Sequence, residues 1–283
     1  MSWPASLSKR SVWIAFTCLC ALGFYAVQSV SPVAAFWLAI FFFILGVPHG
    51  AVERLPHQRR VMMPTLAYTA LYIVFGILVY SSWLISPVGT LVVFLTLSAI
   101  HFGLSEPHIL SLGAWVTLGS FLNYPVETLE IFSFLTRSDL SVALAVETGR
   151  YFSIICALIV LGETAIRLLR RQSVDLFRVI ALLTIFIFLP PVTAVALYFF
   201  CFHSLCEMRK TLEGLSRHQG YLDLKSISKL YAPASIPALI GAGIIIWAVQ
   251  AGYVPIYLAA GLGVAFIIPH MLPVEKLLEL DRA

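Results

Sequence analysis

Four of the seven histidines stand inside long apolar runs: His49 in Phe43-Ile-Leu-Gly-Val-Pro-His-Gly50, His101 in Leu97-Ser-Ala-Ile-His-Phe-Gly103, His203 in Phe199-Phe-Cys-Phe-His-Ser204 and His270 in Phe266-Ile-Ile-Pro-His-Met-Leu272. Ionisable groups in such surroundings are expensive and mark function by default. Neutral imidazole is the commonest protein metal ligand and suits iron, zinc and copper. A carboxylate follows each of the four after four or five residues: Glu53, Glu106, Glu207 and Glu275. His203 and Glu207, four apart, share one face of a helix. Each carboxylate is placed to orient an imidazole, to ligate directly, or to balance a neighbouring cation at the membrane surface, as Glu275 beside Lys276 does. His57, His108 and His218 adjoin Pro, Gln or Arg and read as solvated loop histidines.

The elements that carry these residues must be membrane helices. Hydrophobic residues make up 60% of 283, charged residues 11%, and the mean hydropathy is +0.94. A globular domain is about a quarter charged, and a spanning helix needs roughly 20 apolar residues. Alternating ten-residue runs, the mark of a β-barrel, are absent. The net charge of +4 gives no reason to expect a nucleic-acid partner. The five cysteines lie in apolar runs without a CxxC pair and read as small buried hydrophobes. The first apolar run follows Lys9-Arg10 but shows no small-residue cleavage site, so it reads as a span and not a signal peptide.

Breaks at polar, Pro and Gly positions divide residues 1–283 into about ten spans: 11–30, 33–52, 63–85, 89–105, 110–135, 150–170, 176–190, 191–213, 232–250 and 253–278. Asn123-Tyr-Pro125 interrupts the fifth, and Pro190-Pro191 predicts a tight reversal between the seventh and eighth. With the N-terminus inside, Arg137 and Arg150 alone among the 18 Lys and Arg fall outside. That asymmetry predicts a multi-pass plasma or inner membrane protein with both termini cytoplasmic. It is expected to form a single all-α domain with one inner polar loop over about 211–230. The four histidines then fall on even-numbered spans at similar depth. Gly46 and Gly50 at GxxxG spacing, and Gly103 after His101, would let these helices approach closely, and Pro48 and Pro269 would bend two of them beside a histidine.

These motifs carry a family likeness. Gly46-Val-Pro-His-Gly-Ala-Val-Glu53, Ser98-Ala-Ile-His-Phe-Gly-Leu-Ser-Glu106, Phe202-His-Ser-Leu205 and Ile268-Pro-His-Met-Leu-Pro-Val-Glu275 resemble, in order and over nearly the whole chain, those of the Brp/Blh family of membrane β-carotene 15,15′-dioxygenases. The resemblance implies Fe(2+)-dependent cleavage of β-carotene at its central double bond with dioxygen, giving retinal. It also implies metal ligands at His49, His101 and His203. The chain has Glu53 and Glu106 where the family usually has Asp, and Glu207 where a further histidine is typical. Glu207 and His270 therefore compete for the fourth ligand position, with Glu53 and Glu106 as orienting groups behind the ligands.

A carotenoid partitions into lipid, so a site within the bilayer would take it by lateral entry. The Phe clusters 41–43 and 199–202 either line an apolar tunnel or pack against helices and lipid. Two rival readings are a carotenoid- or retinal-binding member altered at Glu207, and a proton or metal-ion transporter. The clustering of the candidates at one depth speaks against a relay across the bilayer.

Overall fold

The computed structural model describes residues 5–52, 65–105, 109–138, 142–219 and 224–271. These form helices and no strand. Five helical stretches are long and apolar enough to cross a membrane: Val12–Val30, Pro32–Gly50, Pro87–Ser105, Ala145–Leu169 and Pro191–Glu213. Four shorter apolar helices, Ala70–Ile85, Leu176–Phe188, Ser235–Gln250 and Ile256–Met271, fall where further spans were expected. Outward side chains such as Leu19, Leu22, Val74, Ile77 and Leu158 are exposed and apolar, which water would not tolerate on this scale.

α1 (Ala5–Val30) and α2 (Pro32–Gly46) form a hairpin across Ser31, whose Oγ accepts from the Ala34 N–H while Pro32 opens α2. Val47 breaks the run, and α3 (Pro48–Val52) continues it with His49. α4 (Thr65–Ile85) turns at Ser86 into α5 (Pro87–Ser105), the helix of His101.

The expected span at 110–135 is not one helix. It divides into α6 (Ser111–Leu118), a 3₁₀ turn over Gly119–Phe121, and α7 (Pro125–Thr136). Pro125 has no N–H to continue a ladder and keeps Tyr124 out of helical geometry (φ −124°, ψ 47°). Asn123 Nδ2 and Tyr124 Oη donate instead to the carbonyls of Ile187 and Phe188.

α8 (Val142–Leu169) and α9 (Leu176–Phe188) follow. The chain then reverses at Leu189-Pro190, as the paired prolines predict, and α10 (Pro191–Leu197) returns along α9. Past Leu197 the helix widens into a π turn, Tyr198–Ser204, before α11 (Leu205–Gln219). α12 (Leu224–Gln250) and α13 (Ile256–Met271) close the described chain, with His270 in the last turn of α13.

Two apolar clusters hold the bundle. The larger joins α1, α2, α6, α8, α9, α10 and the π turn around Trp115, Phe186, Tyr198 and Phe202. The smaller joins α4, α5 and α13 around Trp83, whose Nε1 donates to the Tyr257 carbonyl. α5 serves both, packing Phe102 against the first and Leu91 within the second. Its seam with α6 is backbone on backbone: a Cβ on Gly113 would lie 2.0 Å from the Ala99 carbonyl oxygen and 2.3 Å from the Gly103 nitrogen.

Because neither backbone can yield there, Gly113→Val should destabilise the protein by about 3 kcal/mol or more. Gly162→Ala, at a position with open space around it, should be neutral or slightly stabilising. Thermal unfolding in detergent, followed by tryptophan fluorescence, checks the pair; equal midpoints would refute the close seam.

Candidate metal centre

The four intramembrane histidines meet. His49 and His203 have ring centres 4.8 Å apart, His203 and His101 5.1 Å, His101 and His270 5.6 Å, and His270 and His49 5.4 Å, which closes a circuit of four imidazoles. Each stands near the C-terminal end of its apolar run, so the four runs reach one end of the bundle together. His49 and His203 are buried. Phe199, Phe102 and Tyr198 wall the group at ring distances of 5.2 Å from His49 and 5.0 and 6.3 Å from His203.

Local structure explains each placement. Gly50 leaves room for a neighbour's ring, since a Cβ there would lie 3.3 Å from His270 Cε1. At Gly46 a Cβ would overlap Phe199 and Ser204, so this glycine lets the π turn lie against α2. The GxxxG spacing thus admits two different partners. Ser98 Oγ donates to Met271 Sδ at 3.5 Å, joining α5 to α13 beside His101 and His270. Tyr72 Oη donates to the Phe266 carbonyl, one turn before His270.

The hydrogen bonds of His49 define its tautomer. Nδ1 lies 2.5 Å from the Gly46 carbonyl and 3.1 Å from Ser204 Oγ. A carbonyl only accepts, so Nδ1 carries the proton and Nε2 keeps its lone pair. That Nε2 is buried without a hydrogen-bond partner, and so is Nδ1 of His203. An imidazole whose far nitrogen donates to a backbone carbonyl is the usual posture of a metal-ligating histidine.

The spacing also fits an ion. Imidazole nitrogens about 2.1 Å from a divalent metal such as zinc would set neighbouring ring centres about 5 Å apart. Among the described residues, however, no three His, Cys, Asp or Glu side chains already stand in coordinating geometry around one point.

Glu207 takes a different partner. Its Oε1 accepts from Lys210 Nζ at 2.5 Å, and the same ammonium donates to the Ser105 carbonyl, tying α11 to the end of α5. Glu53, Glu106 and Glu275 lie outside the described residues, as do His57 and His108. The Phe clusters pack ring on ring: Phe42 with Phe200 at 5.1 Å and Phe43 with Phe199 at 5.7 Å, while Phe41 is exposed. The five cysteines are free thiols.

Spacing alone did not reveal three contributors. The π turn is invisible to a periodicity of 3.6. Arg178, read as an inner-loop charge, is buried, with one Nη donating to the Phe202 carbonyl at 2.7 Å. Trp13, within the first expected span, donates to the Cys201 carbonyl at 3.2 Å.

The described residues thus form an all-helical bundle with five helices of spanning length and four imidazoles gathered at one end. The family model described as Beta-carotene 15,15′-dioxygenase matches residues 40–278, and the chain belongs to that family. That stretch contains all four clustered histidines. No curated protein and no solved structure matches the chain.

The geometry of the cluster is testable without any ligand. In a background lacking the five native cysteines, the pair His101→Cys and His270→Cys should be joined in most molecules by a short thiol cross-linker. A pair that stays unlinked on denaturing gels would show that α5 and α13 do not converge here.

Proposed function

We propose that this protein cleaves β-carotene, or a closely related carotenoid, at the central 15,15′ double bond with dioxygen, giving retinal. The proposed cofactor is Fe(2+) held by His49, His101 and His203, with His270 as the fourth imidazole. The observation that carries the reading is the closed circuit of imidazoles, two of which keep buried ring nitrogens without hydrogen-bond partners, in a chain of the carotene dioxygenase family. One carbon–carbon double bond and one dioxygen give two aldehydes, so the reaction needs no external reductant.

The residues divide the work. His49 presents Nε2 because Gly46 and Ser204 hold its other nitrogen. Gly50 keeps space for the His270 ring. The walls of Phe102, Tyr198 and Phe199 exclude water and match an apolar polyene. Iron, when bound, supplies a position at which dioxygen is activated beside the substrate. The substrate enters laterally from lipid, which explains why the site is built within apolar helices.

For the fourth position, the ion pair with Lys210 favours His270 over Glu207. A carboxylate already answered by an ammonium has less reason to ligate. The same pairing also weighs against a proton relay through Glu207.

Changing His49, His101 or His203 to Ala should remove nearly all bound iron and carotene cleavage. His270→Ala should lower both at least tenfold, and Glu207→Gln should leave iron near the wild-type level. Elemental analysis of purified protein, together with retinal and colour in a carotenoid-producing host, reads both quantities. Full iron and activity in the His101 variant would end the shared-site reading, and loss of iron in Glu207→Gln alone would move the fourth ligand there.

The proposed topology has ten membrane crossings, α6 and α7 together making the broken one, with both termini in the cytoplasm. The stretch expected as a polar loop over 211–230 is mostly the end of α11 and the start of α12. Reporter fusions at the junction of these helices should score as inside, and an outside score would reject this orientation.

A further inference from the structure

The π turn that carries His203 is held from outside by two side chains, one on α1 and one on α9. Within the turn, the ladder runs from N–H to the fifth preceding carbonyl, as Leu205 N–H to Phe200 O shows. Where such a ladder returns to the α pattern, counting forces one carbonyl to be skipped. The next two carbonyls, Cys201 and Phe202, each take a side-chain donor. Trp13 Nε1 of α1 donates to Cys201 O at 3.2 Å, and an Arg178 Nη of α9 donates to Phe202 O at 2.7 Å.

Both donors are fixed in place. The Trp13 ring meets Phe202 edge-on at 5.2 Å and Phe177 at 5.7 Å. Arg178 lies over the Phe202 ring at 5.7 Å, and the same Nη reaches Cys206 Sγ at 3.7 Å. Asp175 caps α9 by accepting from the Arg178 backbone N–H, which locks the start of the helix on which the guanidinium is mounted. A buried arginine among apolar helices is costly, and here it is spent on the carbonyl next to His203.

We propose that Arg178 and Trp13 are positioning residues that hold the π turn open and thereby set the rotation of His203 toward the other three imidazoles. An α-helical register over Tyr198–Ser204 would rotate His203 relative to α10, away from His49 and His101. The inference rests on the metal-centre reading for its consequence, though the clamp itself does not depend on a metal.

The test uses the full-length protein in detergent with two readouts: iron retained against a chelator, and amide hydrogen exchange over 198–207. Arg178→Met keeps the apolar stem without a donor; it should weaken iron retention about 10- to 100-fold and speed exchange in that segment, leaving α4 and α13 unchanged. Arg178→Lys keeps one donor and should recover part of both. Trp13→Phe should change both in the same direction by less, and it decides the matter if Arg178→Met does not fold. Wild-type iron retention and exchange in Arg178→Met, or in Trp13→Phe where that variant decides, would overturn the proposal. Exchange that rises only over 198–207, in a protein whose wild type binds no iron, would sustain the clamp and refute the metal centre.

Discussion

A buried imidazole has two ring nitrogens to satisfy, and four imidazoles packed together cannot satisfy one another indefinitely. His49 answers one nitrogen with the Gly46 carbonyl and Ser204, while its other nitrogen and Nδ1 of His203 are buried without a hydrogen-bond partner. Each unanswered buried polar atom costs about 1–3 kcal/mol. A fold would not retain two at one spot for packing alone, because phenylalanine would fill the space without that cost. In the proposed function these nitrogens are offered to Fe(2+), an electron-pair acceptor.

The bundle is arranged to keep that site. Two apolar clusters, one around Trp115 and one around Trp83, meet along α5. Helices from each bring histidines to the same end. Close approach is obtained by omission of side chains: Gly103 and Gly113 let α5 lie on α6, and Gly50 admits the His270 ring. At the histidine end, Lys210 ties Glu207 to the last turn of α5. These features belong together in a member of the carotene dioxygenase family, whose proposed substrate arrives through lipid.

Much of this was readable beforehand. Apolar run length predicts helices, and the histidines stand out because little else in those runs is polar. The GxxxG spacing and Gly103 marked where backbones come together. What escaped depends on long-range partners or on departures from regular helix. The π turn adds a residue per turn that no local pattern announces, and Arg178 looks like any inner-loop cation until the Phe202 carbonyl is placed beside it. The division of 110–135 was hinted at by Asn123-Tyr-Pro125, yet its extent follows from bonds to α9 more than sixty residues away. For Glu207 the spacing offered ligation, orientation of His203 or balance of a neighbouring cation, and in the structure its carboxylate accepts from Lys210.

X-ray absorption at the iron edge of the purified, full-length protein is the most direct measurement of the central claim. The account predicts a first shell of light atoms at about 2.1 Å, with the outer-shell scattering of several imidazoles, lost when His203 is changed to Ala. Protein purified with iron supplied that holds none, or whose iron shows no imidazole scattering, would contradict it.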